Sequence, residues 1–448
     1  MLIDSPRGLE LDDIQRGVLH PRPSPYVGSY LLLRIADRRV GRALLQRLIP
    51  VIASAAEPMN PNGDTWVSVS LTFQGLRALG VPEDSLASFP LEFQQGMAAR
   101  AAILGDVDES SPAHWETPLG TRDVHVAVVV LSPDEARRDA LLERVEKAYP
   151  TVEGVKVIYR QDARVLPTGR EPFGFKDGIS QPAVEGSPIA GTNHMEGPLK
   201  AGEFVLGYPD ETGAMAATPQ PDVLGRNGTY VVVRKLHQRV AAFRHYLRTN
   251  AASTEEQTLL SAKMMGRWPS GAPLVLSPDR DEPALGAEAA RNNEFLYHVD
   301  DPKGLRCPAG AHVRRANPRD AFQDELIGVN RLHRMIRRST TYGPPLPEGV
   351  LEDDGADRGL VFVAIGAHLK RQFEFVQTQW VNDGVFRGAP GEKDPVVGPN
   401  DGTGGFTIPR QPVRRRIVGL PQFVINRGGE YCFTPGMRAL RWLAELDT

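Results

Sequence analysis

The chain has 448 residues, with 52 Lys and Arg against 55 Asp and Glu, a net charge of -3, and 41% apolar residues. That length allows two or three domains of roughly 100–200 residues each, and the balanced charge argues against a broad nucleic-acid surface. With only two cysteines, Cys307 and Cys432, neither a disulfide framework nor a thiolate cluster for zinc or iron–sulfur is expected.

The acidic N-terminus, MLIDSPRGLELDDIQ, lacks the apolar core of a secretory signal. Residues 30–35 (YLLLRI) read as a strand, residues 41–53 as an amphipathic helix, and residues 65–71 (TWVSVSL), alternating with period two, as a second strand. The run RRVGRALLQRLIPVIASAA from Arg38 imitates a twin-arginine export signal. However, Arg47 interrupts its apolar stretch, and cleavage would remove the strand before it, so an amphipathic helix in a cytoplasmic protein is expected. A Gln-, Met- and Ala-rich helix is predicted over residues 91–104 and a buried strand over 124–131. Ser132 with Glu135 would form a capping box for a helix to about residue 148, and residues 155–159 would close the unit as a strand. No uncharged apolar run reaches the roughly 18 residues that a membrane span needs.

The second half repeats these elements loosely. Strands are predicted over 203–207, 229–236 and 359–366, with another near 423–426. Helices are predicted over 240–247, from 373 to 380, and from Pro435. Long irregular stretches cover residues 266–330 and 388–412; loops of that length in a compact domain are usually functional or disordered. The expected boundary lies near Gly186, giving domains 1–185 and 186–448.

Three segments carry chemistry. His312 lies in CPAGAHVRRANPR, between small residues that leave room for a flat macrocycle and arginines that can pair with carboxylates. Read alone, the segment fits a bystander histidine in a basic turn as well as an iron ligand. Cys307, ahead of Pro308, fits a small buried thiol better than a thiolate ligand. Asp177 lies in GFKDG, where two glycines let the backbone approach a bound group, though an ordinary Asp-Gly turn has the same signature. Arg337 and Arg338 lie in MIRRSTTYG, which also reads as a charged surface turn. Leu360 and Phe362, in GLVF, are two residues apart and share one strand face.

Taken in order, GFKDG, CPAGAH…NPR, RRSTTYG, GLVF and FEFVQTQW resemble the dye-decolorizing peroxidase family, in its longer, cytoplasmic branch. NGTYVVV from Asn227 and DPVVG from Asp394 add to the resemblance. It implies an α+β fold of two ferredoxin-like domains of the dimeric α/β-barrel type, with haem b held mainly by the C-terminal one. It implies His312 as proximal iron ligand, Asp177 as distal acid and Arg337 as distal arginine, Arg338 replacing it if the count slips by one. It further implies Leu360 and Phe362 as distal walls, Arg319 and Arg314 as propionate contacts, and Asp394 as hydrogen-bond acceptor from the ligand imidazole. Trp380 matches a radical-relay position, and bulky dyes would be oxidised at the surface. Hydrogen peroxide and aromatic reductants are the implied partners, with no nucleic acid or membrane, and a homo-oligomer is compatible. A haem carrier without peroxide turnover and a haem-free binding module are the alternatives of other classes.

Overall fold

The computed structural model describes residues 8–58, 65–148, 154–322, 329–386 and 390–446. In the first half β1 (Val27–Ile35), α1 (Arg38–Leu48), β2 (Trp66–Leu71), α2 (Phe73–Leu79), β3 (Val126–Ser132), α3 (Glu135–Glu146) and β4 (Val155–Arg164) follow one another. In the second half come β5 (Thr229–Gln238), α4 (Val240–Asn250), α5 (Thr254–Met265), the short α6 (His312–Ala316), β6 (Ile336–Arg337), β7 (Thr340–Tyr342) and β8 (Gly359–Gly366). A hairpin of β9 (Gly404–Ile408) and β10 (Arg415–Leu420), then β11 (Val424–Thr434) and α7 (Met437–Ala444), complete it.

Antiparallel pairing gives one sheet in the order β4-β1-β3-β2-β11-β5-β8-β6, with β7 also on β8. The first four strands have the ferredoxin-like order, and the second half repeats it with β11, β5, β8 and β6. The halves join where Phe433 of β11 pairs with Leu71 of β2. The outer edges face each other. The Tyr30 hydroxyl meets Thr340 Oγ1 at 2.9 Å and the Tyr26 hydroxyl meets Thr341 Oγ1 at 2.8 Å, while Thr341 also donates to the Arg164 carbonyl. The sheet is thus rolled into a barrel. Period-two alternation sends Tyr30, Leu32, Val231, Val363 and Ile365 into one core, and Leu31, Leu33, Val232 and Ala364 into another.

The arginine-rich run that imitates an export signal is α1, whose Leu44, Leu45 and Leu48 are fully buried in that second core. Among the described residues no helix is long and apolar enough to cross a membrane.

Several predicted elements differ. Residues 203–207 are not a strand: Ala201–Glu203 is a 3-10 turn and Phe204, Val205 and Leu206 are buried in a loop. β5 is already paired on both sides, by β11 and β8, and offers no free edge. The helix predicted over 91–104 breaks into Leu91–Gln95, Ala98–Arg100 and Ala101–Leu104, the first ending at Gly96 with φ +77°. Ser132 does not cap α3: it remains in β3, opposite Val27, and Asp134 accepts the Arg137 amide at 2.8 Å instead. α5 and the β9–β10 hairpin were not expected. Residues 370–381 wind as π-helical turns.

Glu430 of β11 ties the halves together, accepting the Gly120 amide at 2.6 Å in a buried position. Burial pushes its carboxyl up to about 8, so the folded chain holds a proton there that the unfolded chain releases in the ordinary carboxylate range. The associated stability is present at acid pH and lost as pH rises through about 8. Glu430→Gln should therefore raise the unfolding midpoint at pH 9 and leave it nearly unchanged at pH 5, a difference of a few kcal/mol at most, measured by thermal unfolding at both pH values.

Candidate active site

A cavity of about 290 Å3 lies beside β5 and β8, lined by His312, Asp177, Glu171, Arg267, Arg319, Arg337, Leu360 and Phe362 among others. It brings together six of the nine residues singled out above. Arg314, Asp394 and Trp380 do not line it.

His312 opens α6. Its Nδ1 donates to Asp394 Oδ2 at 2.8 Å, which fixes the tautomer and leaves Nε2 for a ligand. Asp394 is itself held: Oδ1 accepts the amides of Val396 (2.8 Å) and Val397 (2.9 Å), and the buried turn presents only Oδ2 to the imidazole. Burial alone would lower the His312 pKa, but the Asp394 charge and hydrogen bond outweigh it and hold it above the ordinary value. Burial likewise pushes Asp394 up, and His312 with the Val397 amide brings it below the ordinary value.

The GFKDG loop is organised by Glu171, which sequence reasoning missed. Its Oε1 accepts the Phe175 amide at 2.9 Å; its Oε2 accepts the Phe173 amide at 3.0 Å and Gln238 Nε2 at 2.7 Å. Burial, opposed by these bonds, raises this carboxyl to about 7. Gly174 (φ +101°) and Gly178 (φ +77°) take backbone conformations open to glycine. The cation in salt-bridge contact with Asp177 is Arg22, at 3.6 Å. Arg22 is anchored by Nε to the Ser339 carbonyl at 2.8 Å and by its guanidinium 4.6 Å from the Tyr26 ring centre. No sequence signal beyond HPRPSP marked it.

Arg337, the last residue of β6, and Arg338, just beyond it, line different cavities. Arg337 lines the cavity, its Nη2 donating to the Ser180 carbonyl at 2.8 Å. Burial lowers its pKa and the Asp177 charge partly offsets this. Arg338 lines a different cavity, inside the barrel. Leu360 and Phe362 share the cavity face of β8, as alternation requires.

Arg319 lines the cavity in a left-handed conformation (φ +52°), stacked 3.7 Å from the Phe295 ring centre. It donates to the carbonyls of Asn293 and Phe295 and to Asn293 Oδ1. Arg267, absent from the sequence reading, converges on the same Asn293 Oδ1 at 2.7 Å. Burial lowers Arg319 to about 10 and Arg267 to about 9. Among the described residues neither has a carboxylate at salt-bridge distance.

Arg314 is used elsewhere. Its Nη1 donates to Asp301 Oδ2 (3.1 Å) and the Cys307 carbonyl (2.7 Å), and it stacks 4.4 Å from the Tyr297 ring centre. These partners consume its charge away from the cavity, so the expectation of a propionate contact there is withdrawn. Arg315 donates to the carbonyls of Gly310, Trp380, Asp383 and Glu392, fastening the segment that leads to Asp394. Cys307 is fully buried, and burial raises its thiol to about 11, in keeping with an inert thiol. Trp380 is only 5% exposed, packed against Phe322, Phe375 and His333.

Two family models match the chain: the DyP dimeric alpha+beta barrel domain over residues 13–167, and the Dyp-type peroxidase, C-terminal, over residues 209–387. The dye-decolorizing peroxidase AauDyP1 of Auricularia auricula-judae is 31% identical over 89% of this chain and 79% of its own. The multifunctional dye peroxidase DyP2 of an Amycolatopsis strain is 29% identical over 97% and 96%. A solved dye-decolorizing peroxidase in complex with 2,6-dimethoxyphenol superposes with a TM-score of 0.83 at 27% identity, covering 97% of this chain and all of the other. With one model on each half of the barrel and such likeness along nearly its whole length, the chain belongs to the Dyp-type peroxidase family, whose members are haem b enzymes.

Proposed function

We propose that this chain reduces hydrogen peroxide at a haem b held in the 290 Å3 cavity, and draws single electrons from phenols, dyes or similar aromatic donors. One observation carries the reading: an imidazole backed by a buried carboxylate shares a cavity with two buried arginines that, among the described residues, lack carboxylate partners. That donor set fits a haem. His312 would ligate the iron through Nε2, with Asp394 orienting the ring and raising its basicity. Arg267 and Arg319 would meet the two propionates, supplying charges that no carboxylate among the described residues pairs with.

When bound, the haem would supply the iron at which the peroxide O–O bond breaks and would hold the two oxidising equivalents that single electrons from donors then cancel. Asp177 Oδ would accept the proton from one peroxide oxygen and return it to the other. Arg337 would donate hydrogen bonds to the negative charge that develops, at no cost in reorganisation, because Ser180 and Gln181 already hold it. Arg22 would fix the rotamer of Asp177. Leu360 and Phe362 would keep bulky donors out of the cavity, and Trp380 would pass electrons outward through its aromatic neighbours rather than by touching the dye. The relative solved with 2,6-dimethoxyphenol supports a phenolic donor.

We also infer a cytoplasmic protein divided at about Gly186. The support is that the arginine-rich run near the N-terminus is a core helix, and that the two family models leave residues 168–208 between them.

His312→Ala should abolish stable haem binding, and Asp394→Asn should weaken it on the order of 10–100-fold. Haem titration of the purified apoproteins measures both; full-affinity binding by His312→Ala with an unchanged imidazole-ligated spectrum would overturn the ligand. Arg337→Leu should slow the reaction with peroxide about 10²–10³-fold, and Arg22→Leu should slow it less, because it loosens the acid without removing a charge from the reacting atoms. Stopped-flow rates rank them, and a larger loss in Arg22→Leu would contradict the assignment. Trp380→Phe should lower turnover of a bulky dye more than that of 2,6-dimethoxyphenol; proportional losses would remove Trp380 from the electron path.

A further inference from the structure

Inside the barrel, away from the cavity just described, a second cavity of about 40 Å3 is lined by Arg338, Trp66, Ser68, Thr434 and aliphatic side chains of β5 and β8. Arg338 follows Arg337 just beyond the end of β6 and lines this cavity instead of the larger one. Its amide donates to the Val363 carbonyl at 2.8 Å, which sets its direction.

Arg338 is 6% exposed. Nη1 donates to the Arg337 carbonyl at 3.1 Å and Nη2 to the Leu19 carbonyl at 2.9 Å, while Nε has no partner. The Trp66 indole N–H, on the wall of the same cavity and 4% exposed, has none either. The hydroxyls of Ser70 and Thr434 satisfy each other at 2.6 Å and do not compete for these donors. Among the described residues no carboxylate lies within salt-bridge distance of Arg338, and the charged groups nearest in effect are Arg22 and Arg337, both of like sign. A buried charge without a counter-charge is strongly disfavoured, and a guanidinium cannot escape by releasing its proton. Water could satisfy the two N–H groups but not the charge. A cavity of about 40 Å3 has room for roughly one monatomic anion or two to three waters, and its donors are all N–H or O–H groups.

We propose that this cavity binds a small inorganic monoanion of the chloride class, held by Arg338 Nε and Trp66 Nε1. The anion neutralises Arg338 inside the barrel, next in sequence to the cavity arginine Arg337, and fills the void between the two halves. Arg338 and Trp66 come from opposite halves of the chain, so the anion bridges them.

The test uses the haem-loaded protein and needs no turnover, so its outcome is independent of the peroxidase reading. Crystals grown from chloride are examined by long-wavelength anomalous scattering, and crystals of protein purified and grown in sodium bromide are examined at the bromine edge. An anomalous peak between Arg338 and Trp66 in either crystal is expected; water density alone in both overturns the proposal. In solution, the unfolding midpoint should rise saturably with sodium bromide relative to sodium gluconate at equal ionic strength. Arg338→Met should lose that difference. Trp66→Phe, which keeps the ring and removes one donor, should raise the half-saturating bromide concentration severalfold, and serves if Arg338→Met fails to fold. Equal responses to the two salts in wild type, with no anomalous peak, would refute the site.

Discussion

A guanidinium keeps its charge wherever the chain puts it, so each arginine that the fold buries must be met by an anion, by carbonyl oxygens or by a ligand. The centre of this protein is arranged around that constraint. Arg314 pairs with Asp301 and Arg315 meets main-chain carbonyls, and both work as fasteners for the segments on either side of His312. Arg267 and Arg319 share one amide oxygen, that of Asn293, each with carbonyls of its own; among the described residues they meet no carboxylate, and both line the large cavity.

On the histidine side the same logic runs with the signs exchanged. Asp394 is a fully buried carboxylate, tolerable because two amides hold one oxygen and an imidazole N–H holds the other. The imidazole therefore has a fixed tautomer before any metal arrives. Glu171 is another buried acid beside the cavity. Its oxygens are spent on the backbone of the loop that carries Asp177, and a carboxyl raised to about 7 by burial is kept in place by that bonding.

How much of this could be read from the chain depended on whether the physics was local. The faces of Leu360 and Phe362 follow from alternation along a strand whose apolar run is unmistakable, and the helix after β1 follows from its amphipathic period. The segment at 203–207 looked equally strand-like, yet whether it pairs depends on whether β5 has a free edge, which is a property of the assembled sheet. α5 carried a readable signal that was passed over: Ser253 caps it by accepting the Glu256 amide, the S-x-x-E pattern that opens many helices. At the site, motif order singled out His312, Asp177, Arg337 and Arg319. It missed Arg22, Arg267 and Glu171, which belong to no motif and come together only through tertiary contacts. Arg314 was misjudged because sequence proximity to His312 says nothing about Asp301, which takes up its charge.

β8 supplies a last consequence. Its eight residues pair with β5 along their whole length and with β6 and β7 on the other edge, so its backbone is locked from both sides. Leu360 and Phe362 project from that locked backbone into the cavity. Changing either side chain alters the volume and shape above the floor of the cavity without shifting the strand or the arginine beside it. Such a wall lets selection, or an engineer, retune which small molecules enter one residue at a time, because the hydrogen-bond ladder rather than the side chains carries the load of the fold.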